Sequence, residues 1–241
     1  MSFSYCYLLC YWYLSIIKPI IVIQFFYIDH KKSKMKQAQS SISINSLYCA
    51  IDSKVILSDI NFNLNSGQSI TITGPNGVGK TLLLNTIVGF KSIFKGEISI
   101  NKINLSNDPA NRQEQIGYYG HKTSLQTGLS VMENMEYWKA YYNSNANTGD
   151  LIKFWELPNK FVENCSEGQR KRISLARLSL MKRNIWLLDE PTTNLDLVGK
   201  EKFLELLTSH LETGGISIIA THEPSQFDGN KIINLGRHSG N

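Results

Sequence analysis

The run Gly74-Pro75-Asn76-Gly77-Val78-Gly79-Lys80-Thr81 constrains this 241-residue chain more than any other stretch. It follows Ser69–Thr73 (SITIT), a strand-like run of β-branched residues, and precedes residues 81–88, which read as an apolar helix. Strand, glycine-rich turn and helix in that order make a phosphate-binding unit. Gly77 and Gly79 let the backbone curl so that successive N–H groups converge. The positive end of the helix adds to their field. Lys80 is placed to reach the β- and γ-phosphates, and the Thr81 hydroxyl suits Mg²⁺.

Two later runs read as further buried strands with polar ends. Residues 184–190 (NIWLLDE) end in Asp189 and Glu190. Adjacent carboxylates at the end of a buried strand are costly without a counter-charge. Asp189 fits an Mg²⁺-binding acid, and Glu190, one residue on, fits a group that polarises an attacking water. Residues 217–222 (SIIATH) end in Thr221 and His222. Ligands of open parallel sheets gather at the carboxyl ends of strands, which places His222 near a γ-phosphate. Continuous apolar strands alternating with helical stretches predict an α/β fold with a parallel sheet. Before Gly74, Ile42, Ile44 and residues 55–64 read as short alternating strands. Residues 132–142 and 170–181 read as helices, and 143–149 (NSNANTG) as a polar loop.

Composition divides the chain. Residues 1–34 are crowded with Tyr, Leu, Ile and Phe, and with four Lys against one Asp they carry +3 of the net +5. Their length approaches the roughly 20 residues of a membrane span. Lys18 and Pro19 break the stretch into two pieces too short to span alone. The leader lacks the flanks of a secretory signal and the arginines of an import peptide. Three readings stay open: an upstream extension of a frame that starts at Met35, a membrane-contacting leader, or a cleaved segment. The remainder, 35–241, carries only +2 and no arginine-rich patch, which argues against a nucleic-acid partner. Cys6, Cys10, Cys49 and Cys165 have neither zinc nor disulfide-scaffold spacing, and read as reduced thiols of an intracellular chain. With 21 Asn and 27 Ile against 7 Ala, the coding sequence reads as AT-rich, as in an organelle.

Residues 165–177 (CSEGQRKRISLAR) resemble the LSGGQ signature of ABC ATPases, Pro191–Asp196 (PTTNLD) their D-loop, and His222 their switch histidine. The order of motifs matches the family, over roughly residues 42–235. Gly120-His121 stands where most members carry the Q-loop, and together with residues 128–134 (GLSVMEN) and 201–219 it is similar to the CcmA family of haem-exporter ATP-binding subunits. Cys165 and Glu167 depart from the usual signature residues.

The resemblance implies a RecA-like core, a small antiparallel β subdomain and a short helical subdomain over about 121–164. It implies ATP and Mg²⁺ as ligands and an ATPase activity. It also implies two copies paired head to tail, with ATP between the phosphate loop of one and Ser166, Gly168, Gln169 and Asp196 of the other. His121 falls at the Q-loop glutamine, and Ile51, with Tyr48 nearby, at the adenine-stacking position. Integral membrane subunits become the expected partners, contacted by the helical subdomain, where aromatics in 137–142 either dock a partner or fill a core. A peripheral position follows, on the matrix side of a mitochondrial inner membrane or the cytoplasmic side of a bacterial one. The export step of cytochrome c maturation, another small exporter, and a nucleotide-gated scaffold without transport remain distinct functional readings.

Overall fold

The computed structural model describes residues 39–120, 122–227 and 231–237, all within the unit Gln39–Asn241. The apolar leader and His121 lie outside the described residues. β1 (Ser41–Ile51) and β2 (Lys54–Asn65) alternate buried and exposed positions, as strands do when one face meets a core. They pair antiparallel across Asp52 and Ser53, whose φ of 48° and 65° supply the left-handed turn that suits a two-residue hairpin. β4 (Lys95–Ile100) pairs with β1, and β5 (Ile103–Asn104) with β4, giving the order β2-β1-β4-β5.

The second sheet is parallel. β3 (Ser69–Thr73), β7 (Ile185–Asp189) and β8 (Ile216–Ala220) are buried at every residue, which explains their unbroken apolar runs. β6 (Ile116–Tyr119) and the exposed β9 (Lys231–Asn234) form its edges, in the order β6-β7-β8-β3-β9. The helices are α1 (Lys80–Val88), α2 (Pro109–Gln115), α3 (Val131–Tyr141), α4 (Thr148–Phe154), α5 (Glu167–Ala176) and α6 (Leu197–Glu212). Among the described residues, no helix is long and apolar enough to cross a membrane.

Successive strand residues point to opposite cores. Leu187 and Ile218 join Leu83 and Ile87 of α1 and the inner face of the antiparallel sheet. Leu188 and Ile219 join Met135 of α3, Ile173 of α5 and Phe203 of α6. The aromatic run on α3 divides in the same way: Trp138 is buried, whereas Tyr137 and Tyr141 are exposed.

Two boundaries differ from the sequence reading. The helix expected over 170–181 begins at Glu167, because Ser166 caps it, and tightens into a 3₁₀ turn over Arg177–Leu180. The polar run 143–149 is not all loop. Asn147 caps α4, its side chain accepting from the Gly149 and Asp150 N–H groups.

Strand register positions the chemistry. Ala220 is level with both Ile72 and Asp189, so β3, β7 and β8 end together. The phosphate loop, Glu190 and the Thr221-His222 pair therefore emerge at one edge of the sheet.

Candidate active site

The loop after β3 closes on α1 through Gly79, whose φ is 112° and whose absent Cβ would lie 3.2 Å from the Leu57 side chain. A larger residue there would meet both a left-handed backbone and the core. Gly79 also leaves α1 without a side-chain cap, so its first-turn amides are left to an anion. The Val78 side chain packs on the core, so Val78 offers the site only its backbone. Pro75 contributes its carbonyl, which accepts from the Val78 N–H at 3.2 Å.

Lys80 is buried and folded back over the loop. Its Nζ donates to the Gly74 carbonyl at 2.9 Å and lies 3.8 Å from Glu190 Oε1. Thr81 Oγ1 donates to Asp189 Oδ2 at 2.8 Å. Asp189 is buried, and its charge adds to burial in pushing the Tyr118 phenol up to about 12. Asn76, Gly77 and Gly79 of the loop, with Lys80, Thr81 and the two acids, wall an open cleft of about 320 Å³.

Glu190 has a φ of 48°, a left-handed backbone uncommon outside glycine. Its N–H donates to the Ala220 carbonyl at 2.9 Å. Its Oε2 meets Nδ1 of the half-exposed His222 at 2.9 Å and accepts from Thr193 Oγ1 at 3.2 Å. The carboxylate thus stands between a lysine and a histidine at the mouth of the cleft.

Ser166, Gly168, Gln169 and Asp196 do not line this cleft; they sit at other helix ends. Ser166 and Gln169 form a capping box on α5, each side chain accepting from the other's N–H. Gly168 lies in the first turn of the same helix. Asp196 caps α6 through the Gly199 N–H at 2.8 Å and lies 3.4 Å from Arg172. Glu167, the unusual signature residue, accepts from Asn194 Nδ2 at 2.7 Å and so ties α5 to the turn before α6. Tyr48 is partly buried with Lys95 Nζ 5.1 Å from its ring centroid, whereas Ile51 is exposed.

Sequence reasoning missed Thr193 as a partner of Glu190, and it missed Lys171. Lys171 lies on α5 within the R-K-R run of residues 170–172. It is buried, with Nζ donating to the Glu190 carbonyl at 3.1 Å. Burial pulls its pKa down, opposed by the charges of Asp189, Glu190 and Glu167.

Mg²⁺ takes hard oxygen donors in a near-octahedral set. Among the described residues, no group of three or more His, Cys, Asp or Glu side chains could hold a metal. A hydroxyl and a carboxylate side by side, Thr81 and Asp189, fit an ion that keeps water and phosphate oxygens as its other ligands.

Residues 57–193 match the ABC transporter family. The cytochrome c biogenesis ATP-binding export protein CcmA of Nitrobacter winogradskyi is 37% identical over 191 residues, covering 76% of this chain and 92% of that protein. An ABC transporter ATP-binding protein from Pyrococcus furiosus superposes with a TM-score of 0.72 at 26% identity, covering 83% of this chain and 100% of the other. The ATP-binding cassette MJ0796, a dimer bound to ADP and Pi, superposes with a TM-score of 0.69 at 25% identity, covering 80% and 94%. With motif order, sheet topology and site geometry in agreement, this chain belongs to the ABC transporter family of ATPases, and within it to the CcmA-type ATP-binding subunits.

Proposed function

We propose that this chain hydrolyses ATP to energise an export step in cytochrome c biogenesis, as one of two copies paired head to tail on integral membrane subunits. The observation that carries the catalytic part is the meeting of Lys80, Thr81, Asp189, Glu190 and His222 at one cleft. The export role rests on the relatives' names.

The free main-chain N–H groups of the loop over Asn76 to Thr81 wrap the β- and γ-phosphates. Lys80 exchanges the Gly74 carbonyl for phosphate oxygens. Thr81 and Asp189 would hold Mg²⁺, which would supply charge neutralisation at the phosphates. Glu190 orients a water for in-line attack on the γ-phosphate and accepts its proton, while His222 fixes the carboxylate and faces the γ-phosphate side. Ser166, Gly168, Gln169 and Asp196 of the second copy close the site. His121 completes the nucleotide-contacting set, and residues 121–164 supply the docking face for the membrane subunits. The subunit lies peripherally at the cytoplasmic face of a bacterial-type inner membrane. The curated relatives are bacterial and lend the mitochondrial alternative no support.

Glu190→Gln keeps the shape of the side chain and removes the base. Turnover should fall at least a hundredfold while ATP binding persists, and an ATP-bound dimer should accumulate. Hydrolysis by the variant at the parent rate would overturn the assignment. Identifying the membrane proteins that purify with the native subunit tests the export role.

A further inference from the structure

We infer that Lys171 is a positioning residue for ATP hydrolysis: by holding the main-chain carbonyl of Glu190, it fixes the left-handed backbone that aims the Glu190 carboxylate into the cleft. The inference rests on Glu190 being the group that activates water.

Local sequence does not favour the conformation of Glu190. A β-carbon disfavours a φ of 48°, and Pro191 biases the residue before it toward extended backbone. Tertiary contacts must impose the geometry, and they come from three directions. β8 takes the Glu190 N–H through the Ala220 carbonyl. His222 and Thr193 take the carboxylate. Lys171 takes the carbonyl, with Nζ at 3.1 Å. Releasing the carbonyl frees the peptide to turn toward extended backbone, and the carboxylate would then leave the mouth of the cleft.

The lysine is built into this position. It is buried, and its ammonium lies 5.1 Å from the centroid of the Tyr119 ring of β6. A buried ammonium needs polar or π partners in place of water. Tyr119 and the Glu190 carbonyl are such partners. Lys171 contacts the main chain of Glu190, one residue beyond the parallel sheet, rather than the cleft. Because α5 begins at the Ser166 cap, one helix carries both the signature and the tether of the Glu190 main chain.

The test is steady-state ATPase kinetics of Lys171→Met and Lys171→Arg beside the parent and Glu190→Gln, with nucleotide affinity measured separately. Lys171→Met keeps length and removes the donor. Its kcat should drop tenfold or more with KM for ATP and nucleotide affinity within about threefold. Lys171→Arg restores a donor and should recover kcat to within about threefold of the parent. Equal loss of kcat and nucleotide affinity, an unchanged kcat in Lys171→Met, or an Arg variant as slow as the Met variant each overturns the inference. Should Lys171→Met not fold, Lys171→Leu, which also lacks a donor, replaces it under the same criteria. An active Glu190→Gln would refute the role of Glu190 itself; an inactive one beside a fully active Lys171→Met would refute Lys171 alone.

Discussion

His210, at the end of α6, shows how a single residue sets a pH response away from the cleft. Its ring stacks on Trp186 at 3.6 Å between centroids, and Nε2 donates to the Ile216 carbonyl at 3.2 Å. A Cβ on Gly215 would come within 2.3 Å of the ring, so only glycine leaves it room. Burial lowers the His210 pKa from 6.5 to about 4, opposed by the bond to Ile216. Below pH 6.5 the unfolded chain takes up a proton that the folded ring refuses until about pH 4. The contribution of His210 is therefore complete above pH 6.5 and lost as pH falls toward 4, by on the order of 2–3 kcal/mol. Urea unfolding at pH 7.5 and 4.5 measures this loss, and His210→Gln, which does not titrate, should lose less of its stability over the same interval. An identical decline in the variant would place the acid sensitivity elsewhere. The contrast with the active site is one of legibility. The meeting of Lys80, Thr81, Asp189 and Glu190 at one cleft is readable because each stands at a glycine turn or a strand end of contiguous sequence. Lys171 and His210 are not, because a charged or aromatic residue on a polar helix looks solvated until its neighbours are known.

At the scale of elements, α3 and α5 open with the same device, and comparing them separates folding from function. Ser130 and Glu133 form a capping box on α3, as Ser166 and Gln169 do on α5. Ser130→Ala and Ser166→Ala should each cost about 1 kcal/mol of stability, read from chemical denaturation. Only Ser166→Ala should also lower ATPase turnover, because its hydroxyl belongs to the surface proposed to meet nucleotide on the second copy. Equal turnover in the two variants would reduce the α5 cap to a structural role. Element type followed from periodicity wherever one face was buried: β1 and β2 alternate, and β3, β7 and β8 run continuously apolar because both their faces are covered. Helix starts were less legible. A capping asparagine before a polar first turn resembles loop sequence, as Asn147 before α4 shows.

At the scale of the whole molecule, the proposed pairing makes a claim that the single chain can test. Gly168 lies in the first turn of α5, outside the cleft of its own chain. A Cβ built on it meets nothing closer than the Asn194 carbonyl at 3.5 Å, an ordinary contact, and its backbone is not left-handed. Gly168→Asp should therefore fold well, since an acidic residue in the first turn complements the helix dipole. In a head-to-tail pair, however, the new carboxylate would face the phosphates of ATP bound to the other copy, where like charges in a dry interface repel strongly. The experiment is light scattering of Glu190→Gln with saturating ATP and Mg²⁺, alone and combined with Gly168→Asp. The single variant should double its mass on adding ATP, because binding across the interface links association to occupancy. The double variant should stay monomeric while its thermal midpoint still rises with ATP, which shows the phosphate loop working alone. A double variant that dimerises like the single one would mean that α5 does not face the nucleotide, and the head-to-tail arrangement would fall with it.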